Sequence, residues 1–321
     1  MVPRHRHTDS VRLADLEKMS GYRRIRWYCR PILFIAFLSG CDQSPVAGRS
    51  IERDTEPVHR IITLSPHLTE LVYTAGAGDR LVGVVEYSDF PPEAKELPRV
   101  GDAFRLDYEA VAGLEPDLVL GWRSGTPEDV MSRLRKLGYR VVALESGQLD
   151  IIAQNLLVIG RLANTSTVAK TAVFNYRQEL DRVRIRYQDA KPMTVFYQIS
   201  PQPLFTVTGH HVIGEAIRIC GGKNIFAELQ GLAPSVSVEA VLDAAPEVIV
   251  ASYFGDAKAK SADVLSAWNQ WRTIPAVRDG NLFLVDADLM SRPSFRILGG
   301  IKQLCNHLAS ARLENNPIAA Y

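Results

Sequence analysis

Leu106-Asp-Tyr-Glu-Ala-Val-Ala-Gly-Leu-Glu-Pro-Asp-Leu-Val-Leu-Gly-Trp122 recurs, in altered form, as Val236-Ser-Val-Glu-Ala-Val-Leu-Asp-Ala-Ala-Pro-Glu-Val-Ile-Val-Ala-Ser252. In both copies Glu-Ala-Val (Glu109, Glu239) precedes a proline by seven residues (Pro116, Pro246), and an acidic residue and a branched apolar run follow. Asp107 or Ser237 can cap a short helix, with the glutamate two positions on in the first turn, where the helix dipole favours negative charge. The proline ends the helix, and Asp117-Leu-Val-Leu or Glu247-Val-Ile-Val reads as a strand buried on both faces. A unit repeated 130 residues apart predicts two similar lobes. Either glutamate alone is explained as a dipole complement. Their recurrence makes them a paired docking feature.

The 321 residues, 46% of them apolar, suffice for two domains with cores of their own. The net charge of +1 hides an asymmetry: the first 41 residues hold eight Lys/Arg against three Asp/Glu, leaving 29 against 33 elsewhere. No basic stripe with interleaved aromatics is present, which argues against a nucleic-acid partner. Cys29 and Cys41 fall in the N-terminal segment, and Cys220 and Cys305 are the two cysteines of the remainder. In an exported domain such a pair predicts a structural disulfide; two unpaired buried thiols are the alternative.

Export itself is read from residues 1–41. Met19 offers a second start, followed by Arg23, Arg24, Arg26 and Arg30, the apolar run Pro31-Ile-Leu-Phe-Ile-Ala-Phe-Leu38, and Ser39-Gly40-Cys41. A basic region, a short apolar core and small residues before a cut form a secretory signal, too short to span a bilayer. Leu-Ser-Gly-Cys resembles the bacterial lipobox, which implies cleavage before Cys41 and lipid on its thiol. Asp42 resembles the signal that retains such lipoproteins at the inner membrane. Residues 42–57, polar and containing Pro, Gly and Ser, read as a flexible tether.

From residue 58 strand and helix alternate, which predicts parallel α/β lobes over 58–164 and 191–321. In the first, Arg60–Leu64, Leu81–Val85 and Arg140–Leu144 are expected strands, Ser65–Gly76 a turn and helix, and further helices are expected over 127–137 and from Asp150. In the second, Met193–Ile199 opens the lobe, Phe205–Gly209 follows with Phe205 in a loop, and Leu282–Val285 is an expected strand. Helices are expected from Val212 to Cys220, around 262–271 and from Ser294 to Leu313, with a loop over Asp286–Pro293. Residues 165–189 contain no Gly or Pro, and Val168, Ala172, Phe174/Asn175, Leu180, Val183 and Tyr187 mark one side of a helix. A single long helix over 165–190 between two lobes is a stiff strut about 35 Å long.

The first strand leads into Leu-Ser-Pro-His rather than a glycine-rich phosphate loop. Gly121-Trp-Arg-Ser-Gly125 has its serine one place off a nucleophile elbow, and neither Cys-x-x-Cys nor His-Glu-x-x-His occurs. The chain is accordingly read as no enzyme and without a resident cofactor or metal, although His67 and the His210–His211 pair are candidate ligands. Aromatic and polar residues remain at strand ends: Tyr87, Phe90, Trp122, Phe205 and the Asp288/Arg292 pair. The carboxyl ends of parallel strands form the crevice where ligands sit. Flat apolar surfaces with a few polar anchors suit a broad, rigid, mostly neutral molecule that is held but not transformed.

Arg-Ile-Ile-Thr-Leu-Ser-Pro-His-Leu-Thr-Glu-Leu-Val-Tyr, Glu-Tyr-Ser-Asp-Phe-Pro-Pro, Leu-Glu-Pro-Asp-Leu-Val-Leu-Gly-Trp-Arg and Cys-Gly-Gly-Lys-Asn-Ile-Phe resemble the substrate-binding proteins of iron-siderophore, haem and vitamin B12 importers. The resemblance spans about residues 58 to 312 and is nearest to the cobalamin-binding members. It implies two Rossmann-like lobes joined by one long rigid helix, with cobalamin as a transported ligand. It makes Tyr87, Trp122 and Phe205 ring contacts on the corrin, and brings Asp288-Leu289-Met290-Ser291-Arg292 to it, with Asp288 and Arg292 bonding peripheral amides. It matches Glu109 and Glu239 to the pair that docks on arginines of a dimeric permease, and Cys220 and Cys305 to the family's disulfide. The chain departs from it where Ala103-Phe104 and Ala233 stand in place of tryptophans, which removes indole contact area and leaves room for another corrinoid or tetrapyrrole.

The expectation is a lipid-anchored binding component of an ATP-driven importer at the inner membrane, capturing cobalamin or a related corrinoid for a permease and its ATPase. Haem or siderophore capture, with His67 or Tyr87 on iron, is the alternative within the class. An exported α/β enzyme and a ligand-sensing lipoprotein are the alternatives outside it.

Overall fold

Each copy of the repeated unit becomes a capped helix, a left-handed residue and a strand. In the first copy the Asp107 carboxylate accepts from the amides of Glu109 and Ala110 and starts α2 (Tyr108–Gly113). In the second the Ser237 hydroxyl accepts from Ala240 N and starts α7 (Val238–Ala244). The residue immediately before each proline, Glu115 and Ala245, adopts φ 43°. A proline disfavours the right-handed helical region for the residue before it, so the chain leaves the helix at the same point in both copies. The strands that follow, β3 (Leu118–Trp122) and β9 (Val248–Tyr253), are buried on both faces apart from their last residue.

The computed structural model describes residues 57–102, 105–253 and 264–314. The signal segment with Cys41, the tether up to residue 56, Ala103-Phe104 and the start of the helix expected at 262 lie outside them.

The first sheet contains β1 (Ile61–Thr63), β2 (Leu81–Val84), β3 and β4 (Val141–Leu144) in the order β2-β1-β3-β4, all parallel. The second contains β5 (Met193–Gln198), β8 (Gly222–Asn224), β9 and β10 (Leu282–Asp286) in the order β10-β9-β5-β8, again parallel. Numbered within each sheet the two orders are identical, 2-1-3-4. The repeated unit supplies the third strand of each, paired with the first strand.

Helices α1 (Pro66–Thr74), α3 (Glu128–Lys136) and α4 (Leu149–Leu162) flank the first sheet, and α6 (Val212–Ile219), the short α8 (Pro275–Arg278) and α9 (Ala287–Met290), and α10 (Ile297–Glu314) the second. Helix α5 (Ser166–Tyr187) is the expected connection. Its buried stripe is Ala169, Val173, Tyr176, Leu180 and Val183, while Val168 and Phe174, assigned inward from the sequence, are exposed. The stripe is set by α4: a Cβ at Gly160 would meet that of Ala169 at 2.4 Å, so two small residues let the helices touch there. One hydrophobic core runs from the first lobe through α5 into the second, and each sheet has a second core on its other face.

After β5 the chain forms an antiparallel hairpin of β6 (Ser200–Pro201) and β7 (Leu204–Phe205), outside the main sheet. Two expectations are corrected. Asp286–Pro293 is not all loop: the Asp286 carboxylate accepts from Asp288 N and caps a helical turn, Ala287–Met290. The helix expected over 262–271 gives way at its end to 3-10 geometry over Ala267–Gln270. The cysteines pair: Cys220, after α6, and Cys305, on α10, form a disulfide of 2.04 Å.

Candidate functional site

The carboxyl ends of both sheets are tied to each other. Arg292, just past β10, places Nη1 at 2.6 Å from Asp89 Oδ1, in the loop after β2, and at 3.4 Å from Glu70 Oε1, on α1. Arg296 reaches the same Glu70 oxygen at 3.0 Å, and the Ser294 hydroxyl donates to Glu70 Oε2. The Arg296 guanidinium also lies 3.8 Å from the ring centroid of Phe90. These contacts span more than two hundred residues of chain, so the loops after the strands of one lobe face those of the other.

Tyr87 lies two residues before Asp89 of this clasp, Trp122 touches it through His67, and Phe205 makes no polar or ring contact with it among the described residues. Tyr87 has φ 63° and is 76% exposed. A non-glycine residue in the left-handed region costs of order 1 kcal/mol or more, held only where neighbours fix it. Here they do: Ser88 is buried, and its hydroxyl belongs to a chain in which Thr69 donates to it at 3.2 Å and meets Thr63 at 2.7 Å. The loop is locked from below and its tyrosine is presented to solvent. Trp122, the last residue of β3, lies over Gly125, where an added Cβ would meet the ring at 2.1 Å. Its Nε1 donates to the Ser146 hydroxyl, and its amide donates to Thr126 Oγ1 at 3.0 Å. Trp122 thus sits where the strand order reverses, the ligand position of open α/β sheets. Phe205 is half-buried in the hairpin that follows the first strand of the second sheet.

Asp288 and Arg292 form an ion pair, Oδ1 to Nη2 2.9 Å. Between them Leu289 is partly exposed and Ser291 exposed, whereas Met290 is wholly buried in the main core and lies against Gly300. The Met290 side chain supports the segment from beneath. Glu109 and Glu239 are exposed in the first turns of α2 and α7. A helix crossing back to a parallel strand runs antiparallel to it, so both first turns lie at the carboxyl, crevice side of their sheets. The bonds of Glu239 to the backbone and to Ser237 hold its carboxyl below its usual range.

Glu70 is 3% exposed on a helix buried all round, with His67, Leu68, Thr69, Leu71 and Val72. Burial pushes its carboxyl up, against the pull of Ser294, Arg296 and Arg292. Burial also opposes the Asp89 carboxylate, but its bond and attraction to Arg292 outweigh it and hold the group below its usual range. His67 is no candidate for solvent chemistry. It is buried with Nδ1 on the Ser65 hydroxyl and its ring edge-on to Trp122 at 5.1 Å. Burial first, and Arg292 second, push it down to about 3. His211 caps α6, its Nδ1 accepting from Ile213 N at 3.1 Å. No cluster of three potential metal ligands exists among the described residues.

Glu70, Asp89, Ser294 and Arg296 were not singled out from sequence. A carboxylate between apolar neighbours on α1 was the available signal; its partners on the other lobe were not.

Residues 61–289 match the family described as Periplasmic binding protein. The chain is 36% identical over 257 residues to the vitamin B12-binding protein of Vibrio cholerae, covering 80% of this chain and 91% of that relative. The vitamin B12-binding protein of Vibrio parahaemolyticus is 34% identical over 273 residues, 85% of this chain and 97% of that relative. Among solved structures, the periplasmic vitamin B12 binding protein BtuF of Vibrio cholerae matches with TM-score 0.73 and 36% identity, over 80% of this chain and 98% of that one. The periplasmic heme binding protein HutB of the same species shares the fold at TM-score 0.67 and 21% identity, over 78% and 98%.

Proposed function

The chain belongs to the periplasmic binding protein family, and on that footing we propose that it is the substrate-binding component of an ABC importer, taking cobalamin or a related corrinoid between lobes 58–164 and 191–321. The observation that carries this reading is the Asp288–Arg292 pair set at the inter-lobe clasp, with Tyr87 held in a left-handed, exposed conformation beside it. Tyr87, Trp122 and Phe205 offer ring faces to a flat macrocycle, and Asp288 and Arg292 offer an acceptor and donors to its peripheral amides. The relatives named for vitamin B12 support the ligand class.

Delivery follows from the two glutamates. Glu109 and Glu239 dock on basic residues of a dimeric permease, one per lobe, and two contacts held at a fixed spacing raise the effective concentration of each. Cys41 carries the lipid that keeps the protein at the inner membrane, with residues 42–57 as tether. No helix among the described residues is long and apolar enough to cross a membrane.

Calorimetric titration with cyanocobalamin and with haemin tests the ligand. Saturable one-to-one binding of cyanocobalamin, weakened by Trp122→Ala or Tyr87→Ala by about tenfold or more each, is expected. Tight haemin binding with a tyrosinate-like visible spectrum lost in Tyr87→Phe, and no cyanocobalamin binding, would reject it in favour of haem capture.

A further inference from the structure

The clasp contains more acid than base. Glu70, Asp89 and Asp288 contact Arg292, and Glu70 also contacts Arg296: three carboxylates to two guanidinium groups. We infer that Glu70, Asp89 and Asp288 cancel the positive charge of Arg292 and Arg296, so that this pole of the crevice selects a macrocycle bearing neutral amides and rejects one bearing carboxylates. The inference deepens the reading above and rests on it.

The bonding of Arg292 gives the first argument. Its Nη1 donates to Glu70 at 3.4 Å and Asp89 at 2.6 Å, and its Nη2 lies in ion-pair contact with Asp288 Oδ1 at 2.9 Å. A guanidinium has five N–H donors. Among the described residues no side-chain hydrogen bond takes up those on Nη2 and Nε. Asp288 faces Nη2 through Oδ1, and its two carboxylate oxygens keep acceptor capacity. Donor and acceptor side by side match a primary amide, whose oxygen accepts and whose NH2 donates. A carboxylate can only accept, and beside Asp288 it meets like charge.

The charge count gives the second. With all five groups ionised the cluster carries −1; with Glu70 protonated it carries zero. Neither state leaves excess positive charge for an incoming anion. The exposed Lys95 acts on Asp89 from the solvent side, where screening weakens it. Glu70 is fixed in place: its side chain is 2% exposed, and Ser294 and Arg296 hold it besides Arg292. An arginine intended for carboxylates would be left without so many acidic partners, because each one removes attraction for the ligand.

The test is calorimetry on the full-length protein and its Asp89→Asn and Glu70→Gln variants. The probes are cyanocobalamin and the set of its monocarboxylic acids, in which one propionamide is hydrolysed. The wild type is expected to bind at least one of these acids about tenfold or more weakly than cyanocobalamin, from like-charge juxtaposition alone. Asp89→Asn, at a half-exposed site that leaves the core untouched, is expected to shrink that ratio several-fold, and Glu70→Gln to do the same. Equal affinity of the wild type for cyanocobalamin and every acid, or an unchanged ratio in both variants, overturns the selection while leaving the importer reading intact. Preference of the wild type for haemin over cyanocobalamin overturns both.

Discussion

Arg292 shows how a single side chain acquires its role from the fold. It is 13% exposed, and its partners lie four, 203 and 222 positions away. The pair with Asp288 was legible as a spacing; the pair with Glu70 was not, because no local pattern reports a partner on another lobe. His67 makes the same point with a measurable consequence. Its ring stays neutral down to about 3, whereas an unfolded histidine titrates near 6.5, and His211 is pushed down by burial to about 4. Below 6.5 the unfolded chain binds protons that the folded one refuses, so stability is lost as pH falls, by up to about 1.4 kcal/mol per pH unit for each histidine. Glu70 works in the opposite sense, because its raised carboxyl takes its proton earlier in the folded state. His67→Gln is therefore expected to flatten the acid limb of urea-unfolding free energy between pH 6.5 and 4 by about that amount per unit. Parallel limbs for variant and wild type would show that His67 is not held neutral.

At the scale of elements, the repeated helix–strand unit was readable because its information is local: a cap, a first-turn acid, a proline and a branched run. The long helix was also readable, as an uninterrupted stretch without Gly or Pro, but the face it buries was not. Its phase depends on Ala169 fitting against Gly160 of α4. The hairpin Ser200–Phe205 lay beyond reach for a related reason, since its pairing is set by a turn and by the bridge from Phe205 to Ser235. The disulfide joins residues 85 apart and staples α10 to the end of α6. Loop closure of that length constrains the unfolded chain by about 4.5 kcal/mol on the chain-entropy model, and measured losses on removing such a bridge run about 2–5 kcal/mol. Cys220→Ala with Cys305→Ala should lower the urea midpoint accordingly. An unshifted midpoint would mean that core packing alone holds α10.

Over the whole molecule, the two lobes share one strand order, and more than α5 holds them together. Besides the clasp, Glu215 of α6 accepts from Leu149 N at the start of α4 at 2.8 Å and pairs with Arg184 of α5 at 3.3 Å. The Tyr176 hydroxyl donates to Leu149 O at 3.1 Å, and its ring stacks on Phe295 at 4.3 Å. Polar bonds on both sides of a continuous core oppose a change of angle between the lobes, which on the proposed reading lets capture proceed with little hinge motion. A rigid body also keeps Glu109 and Glu239 at one spacing. Glu109→Arg with Glu239→Arg is expected to abolish cobalamin uptake in cells while leaving calorimetric affinity within about twofold of wild type, since both side chains are exposed and neither belongs to the proposed ring or amide contacts. Undiminished uptake in the double variant would remove the docking role.

The sequence by itself determined what periodicity and capping can encode: two α/β halves, the repeated unit with its matched glutamates, the long connection, and the aromatic residues at strand ends. Those features depend on neighbours within a few turns of chain. Only the tertiary structure decided which face of the long helix is buried and that Met290 is core. It alone assembled a clasp of Glu70, Asp89, Ser294, Arg292 and Arg296. A buried charge is tolerable only beside partners that desolvate with it, and those partners are chosen by the packing of one lobe on the other.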